Sequence, residues 1–75
     1  MTIVRRLKRI ALERESAHSE AECTYSIVTN LDGVKCLQVD TYGSKTRRML
    51  GKKSQSIRFT PEALSELRQI IREEF

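Results

Sequence analysis

Near the start of the chain Ile3, Leu7, Ile10, Arg14, Ala17 and Ala21 recur at three- and four-residue steps, an apolar series interrupted by Arg14. The spacing predicts an amphipathic helix over residues 3–21. Its apolar stripe holds to Leu12 and then thins into alanine, so the later half has little to bury. From Cys23 the period changes. The run CTYSIVTNL is rich in β-branched and aromatic residues, VKCLQVDTY follows it, and Asp32-Gly33 stands between them. Asp-Gly in that position predicts a β-hairpin, because both turn positions favour a positive φ.

With Asp32 and Gly33 as the two turn residues, Val28 faces Leu37, Tyr25 faces Asp40 and Cys23 faces Tyr42. Cys23 and Cys36 are then not opposed, which excludes a disulfide within the hairpin. Both hairpin faces come out mixed in this register. Ser26, Val28, Leu37 and Val39 share one; Tyr25, Ile27, Leu31, Val34 and Cys36 share the other. Apolar residues on both faces imply that both are covered, by two helices or by another chain.

A further strand, QSIRF, sets Ile57 and Phe59 on one side and Arg58 on the other. It leads directly into Thr60-Pro61-Glu62, where threonine suits the N-cap, proline the first helical position and glutamate the positive end of the helix dipole. The helix that follows offers Ala63, Leu64, Leu67, Ile70 and Ile71 for burial. The chain therefore reads as one α+β domain over residues 1–75. It has an N-terminal helical arm (1–22), a curved antiparallel sheet of three or four strands (23–59) and a C-terminal helix packed on the sheet (60–75).

Size changes this picture in one respect. A domain of 75 residues buries only a modest fraction of its surface and gains from a staple or from a second copy of itself. Two cysteines are too few for a disulfide framework and lack zinc-ligand spacing. His18 stands alone and receives no role, so neither a metal nor a cofactor is expected. The only early apolar segment contains Arg5, Arg6, Lys8 and Arg9, which does not read as a signal peptide. No run approaches a membrane span of roughly 20 apolar residues. Free thiols without an export signal imply a cytoplasmic protein, and a homodimer is expected.

Charge is distributed unevenly. The net charge is +4, but residues 1–14 carry five bases against one acid, residues 15–42 five acids against one base, and residues 43–58 six bases and no acid. The last block is Lys45, Arg47, Arg48, Lys52, Lys53 and Arg58. It reads either as a set of phosphate-positioning contacts or as a solvated loop that maintains solubility and blunts a sheet edge. Tyr25 and Tyr42 read either as stacking platforms for bases or as ordinary strand residues. The basic group Arg5, Arg6, Lys8 and Arg9 has three readings: a second phosphate-binding element, a membrane-surface helix, or an arm that packs on a dimer mate. The membrane reading is the weakest, for want of an aromatic anchor.

Catalysis is not expected. Gly51-Lys52-Lys53 lacks the glycine spacing and following helix of a phosphate-cradling loop. The acids Glu62, Glu66, Glu73 and Glu74 suit a solvated helix surface. Neither cysteine has a histidine beside it, and Ser54 and Ser56 have no visible base.

Several pieces occur in a telling order: Tyr25 leads the first strand, Gly33 lies in the turn, Leu37 and Val39 follow, and Tyr42 ends the second strand. Gly51-Lys52-Lys53 then closes a basic loop, before Ile57, Phe59, Pro61-Glu62 and Leu67. Over residues 24–71 this resembles the single-stranded-DNA-binding transcriptional coactivators of the positive-cofactor-four type. The resemblance implies an antiparallel sheet followed by a helix, pairing into a dimer, and a role with single-stranded DNA. Two positions depart from it. Asp40 stands where that family places a base, and Gly43 where it places a tryptophan; both weaken the nucleic-acid inference. The strings LQVDTYGS and GKKSQSI are also similar to those of small bacterial proteins of unassigned function. Two functions follow as expectations. The first is binding of single-stranded nucleic acid; the second is a regulatory or accessory module whose basic surface meets a protein partner.

Overall fold

Thr2, Ile3 and Val4 form a short run of β-branched residues, and they are a strand. The computed structural model describes residues 1–12, 18, 20–42 and 53–75. In it β1 (Thr2–Val4), β2 (Cys23–Thr29), β3 (Lys35–Tyr42) and β4 (Lys53–Phe59) precede one helix, α1 (Pro61–Glu74). The strands form a single sheet in the order β1-β4-β3-β2. β2 and β4 run antiparallel to β3, whereas β1 runs parallel to β4.

This corrects two expectations. The N-terminal helix is not formed over residues 3–12, and the sheet is mixed, not antiparallel throughout. The remainder of the expected helix, apart from His18, Glu20 and Ala21, lies outside the described residues. The physical reason is competition for main-chain bonds. β4 has an outer edge to satisfy, β-branched residues suit it, and an isolated helix with a thin apolar stripe nucleates at a cost. The Thr60 N–H donates to the Val4 carbonyl at 3.1 Å, which continues the pairing one step beyond β4. The chain then follows α1: the Leu7 N–H donates to Glu66 Oε1 at 2.9 Å, Arg6 pairs with Glu66 at 3.2 Å, and Arg9 pairs with Glu74 at 3.4 Å.

The hairpin forms where Asp32-Gly33 predicts it, but with a different loop. The Gly33 N–H donates to the Asn30 carbonyl at 2.9 Å and the Asn30 N–H to the Val34 carbonyl at 2.8 Å. Leu31, Asp32 and Gly33 therefore make a three-residue loop, with Gly33 at φ 84° in the left-handed position that this loop type requires. Asp32 Oδ1 accepts the Val34 N–H at 3.1 Å and steadies the turn. The extra loop residue slips the register by one. Tyr25 pairs with Val39, Ile27 with Leu37 and Val28 with Cys36; Cys23 stands opposite Thr41, where Tyr42 was expected.

A slip of one residue exchanges the faces of a strand, and here it sorts them. Tyr25, Ile27, Leu37, Val39, Ile57, Phe59 and Val4 fall on one face, flanked by Thr2, Cys23, Thr29, Lys35, Thr41 and Gln55. Thr24, Ser26, Gln38, Asp40, Ser56 and Arg58 fall on the other, with Val28, Cys36 and Ile3. The mixed faces of the expected register are thus replaced by an apolar face and a largely polar one.

α1 starts as the sequence predicts. Thr60 is the N-cap, its Oγ1 accepting the Ala63 N–H at 3.3 Å, and proline occupies the first turn with Glu62. The helix lies against β3 and β4. Ala63 is buried, Leu64 and Leu67 are half-buried, and Ile70, Ile71 and Phe75 are exposed. Among the described residues Cys36 and Ala63 are the buried apolar side chains, a core small enough to leave much of the apolar face and helix stripe uncovered.

Candidate nucleic-acid interface

The antiparallel pairing fixes where the basic segment is anchored. β3 ends at Tyr42, which pairs with Lys53 at the start of β4, while Cys23 at the start of β2 pairs with Thr41. The ladder reaches one step further, because the Tyr42 N–H donates to the Glu22 carbonyl at 3.0 Å. Both anchors of residues 43–52 thus lie at the sheet end opposite the 30–34 turn. Lys45, Arg47, Arg48 and Lys52 lie outside the described residues, as does Gly43, and Lys53 is described by its backbone alone.

The two tyrosines stand near that same end but on opposite faces. Tyr25 is on the apolar face and 75 % exposed. Tyr42 is half-buried on the polar face, its hydroxyl 3.0 Å from Thr24 Oγ1. The two rings therefore do not form one continuous stacking surface. Of the pair, Tyr25 has the open ring.

Arg58 is committed elsewhere. Its Nη2 and Nε donate to Gln38 Oε1 at 2.6 and 3.1 Å, and its Nη1 donates to Asn30 Oδ1 at 2.7 Å. Gln38 Nε2 in turn donates to Asp40 at 3.1 and 3.2 Å, and Ser56 Oγ donates to Asp40 Oδ1 at 2.6 Å. Asn30 Nδ2 reaches Cys36 Sγ at 3.2 Å. Gln38 and Asp40 are 5 % and 4 % exposed, and buried polar groups of this kind must find partners. Arg58 thus holds β4 to β3 and the turn. Asp40 is enclosed and hydrogen-bonded, so its charge does not project from the surface as its place in the sequence suggests. Asn30, Gln38 and Ser56 were missed as members of this network. The available signal was polar residues at alternate positions on two neighbouring strands, Gln38 and Asp40 on one and Ser56 and Arg58 on the other.

The N-terminal bases divide. All four are exposed, but Arg6 and Arg9 also pair with Glu66 and Glu74. The Leu7 N–H first, and Arg6 second, hold the Glu66 carboxyl below its ordinary range. The described part of the group does not form one uniform patch of free cations. Among the described residues no three His, Cys, Asp or Glu side chains are placed to hold a metal. No described helix is long and apolar enough to cross a membrane. Comparison of the chain with models of protein families, with curated proteins and with solved structures finds no significant match.

Proposed function

We propose that this chain is a small non-enzymatic protein that binds single-stranded nucleic acid, acting as a homodimer in the cytoplasm. The observation that carries the reading is the open Tyr25 ring near the sheet end where Tyr42 and Lys53 anchor the basic segment. Lys45, Arg47, Arg48, Lys52 and Lys53 supply phosphate contacts, and Tyr25 supplies a base-stacking platform. Arg5 and Lys8 add positive charge as a secondary element. The enclosure of Asp40 supports the reading, because it removes the acid that opposed phosphate binding. The exposed apolar residues support a second copy, and two free cysteines suit a reducing compartment.

The test is fluorescence anisotropy with a labelled single-stranded oligonucleotide and a matched duplex, each at two salt concentrations. Binding favours the single strand, weakens with salt, and weakens further with a flatter salt slope in a Lys52→Glu/Lys53→Glu variant. Equal and weak binding to both probes overturns the reading. A protein-interaction module is the second reading, favoured by the exposed Ile70, Ile71 and Phe75 on α1. It requires a specific partner in pull-down and no oligonucleotide binding at physiological salt.

A further inference from the structure

Among the described residues β2 is an edge strand, and its own sequence lacks the features that keep edges from pairing. Its sequence, CTYSIVT, contains no charge and no proline, and its pairing with β3 is unbroken by a bulge. Threonine, tyrosine, isoleucine and valine all favour extended structure. The hydrogen-bond pattern shows which main-chain groups face outward. Asn30 bonds to Val34 and Glu22 to Tyr42, so even-numbered residues of this strand turn toward β3 and odd-numbered ones turn away. The outward groups belong to Cys23, Tyr25, Ile27 and Thr29. Among the described residues no strand pairs with this edge. Tyr25 and Ile27 also project on the apolar face, where they are 75 % and 58 % exposed.

We propose that this edge pairs, antiparallel and about Ser26, with the same edge of a second copy, joining two four-stranded sheets into one. The register follows from two conditions. Hydrogen-bonded partners must both be odd-numbered, and all seven residues of β2 must overlap. Both are met when Tyr25 lies opposite the partner's Ile27, Cys23 opposite the partner's Thr29, and Ser26 opposite the partner's Ser26. The pairing is self-complementary. It sets an aromatic ring beside a β-branched side chain, a favourable cross-strand pair, and carries the apolar face unbroken across the joint. An uncharged edge also opposes no charge to its copy. This inference rests on the homodimer reading and specifies how the two copies meet.

Disulfide trapping in a Cys23→Ser background tests the register. Ser26 is exposed and would form a non-hydrogen-bonded pair with its copy, with Cα atoms about 4.5 Å apart, within disulfide reach. A Ser26→Cys variant therefore oxidises to a covalent dimer of twice 8.7 kDa. A Thr24→Cys variant, with its thiols about 13 Å apart by strand spacing, does not. Equal trapping of the two variants, or none of Ser26→Cys, overturns the edge pairing. Light scattering of the unmodified chain separates this failure from that of the homodimer. A dimer in solution without trapping at Ser26 rejects the β2 edge alone, whereas a monomer at every concentration rejects both. As a second variant, Ile27→Lys places a charge on the joint and shifts the chain to monomer while leaving the circular dichroism spectrum unchanged. A persistent Ile27→Lys dimer overturns the proposal.

Discussion

Gln38 and Arg58 stand directly opposite each other on β3 and β4, and the Arg58 guanidinium donates twice to the Gln38 side-chain carbonyl, at 2.6 and 3.1 Å. The same guanidinium reaches Asn30 beside the turn. One side chain therefore ties together two strands and a loop, and through Gln38 it orients the amide that bonds to Asp40. A lysine cannot make this fork. Arg58→Lys is expected to lower stability by about 1–3 kcal/mol, the usual cost of leaving buried hydrogen-bonding groups unmatched. Urea denaturation followed by circular dichroism measures it. A midpoint equal to that of the parent chain would show that the network contributes nothing.

Gly33 tests the turn. Its φ of 84° is disfavoured for residues with a side chain, yet a Cβ there meets nothing within 4 Å. The penalty of Gly33→Ala is therefore backbone strain alone, about 1–2 kcal/mol. Gly33→Asn should lose less, because asparagine tolerates this conformation. Thermal melts of the two variants rank them, and equal losses would point to a cause other than φ.

Thr60 joins the end of the sheet to the start of α1. Its side chain is fully buried and caps the Ala63 N–H, and its own N–H bonds to Val4. Thr60→Ala is expected to cost about 1 kcal/mol, and Thr60→Ser, which keeps the hydroxyl, less. Chemical denaturation of both variants makes the comparison, and a serine variant as weak as alanine would assign the loss to packing.

These residues differ in how far the sequence exposes their roles. The cap at Thr60, Pro61 and Glu62 is local, so it is legible without the fold. The turn at Asp32-Gly33 is legible in place but not in length, since the dipeptide suits loops of two or three residues. That single residue decides whether Tyr25 shares a face with Val39 or with Asp40. β1 was illegible for another reason: three residues at the N-terminus find their partner at Ile57, Arg58 and Phe59, and local periodicity carries no information about it. Arg58 looked like one base among six in residues 43–58 because its cross-strand neighbour, Gln38, is invisible until the register is known. The basic segment itself was plain to read; only its anchors, Tyr42 and Lys53, are placed by the fold.

Glu66 predicts a pH dependence. Its carboxyl accepts the Leu7 N–H and pairs with Arg6, which lowers its folded-state pKa. A lowered carboxylate pKa contributes stability that is complete above the unfolded value and is lost as pH falls through the folded value. The stability difference between the parent chain and Glu66→Gln should therefore shrink on titration from about pH 6 to about pH 3. The pair is largely solvated, so the difference also decreases with added salt. Denaturation midpoints of the two chains across that range decide it. A difference that is constant with pH would mean that the Leu7 contact acts as a neutral hydrogen bond.

Tyr25 and Tyr42 separate binding from stability, since only Tyr25 has an open ring. Tyr25→Leu keeps an apolar side chain at the edge of β2 but removes the aromatic face. Single-strand affinity should fall by about 1–3 kcal/mol, the measured range for one stacked base, with an unchanged salt slope because no phosphate contact is lost. Tyr42→Phe deletes the contact with Thr24 and should lower stability by roughly 1 kcal/mol without altering affinity. Anisotropy titrations at several salt concentrations, beside denaturation of both variants, give the four values. Stacking on Tyr25 requires the two effects to fall on different residues. If Tyr42→Phe weakens binding and Tyr25→Leu does not, the nucleic acid lies on the polar face and Tyr25 belongs to the protein surface.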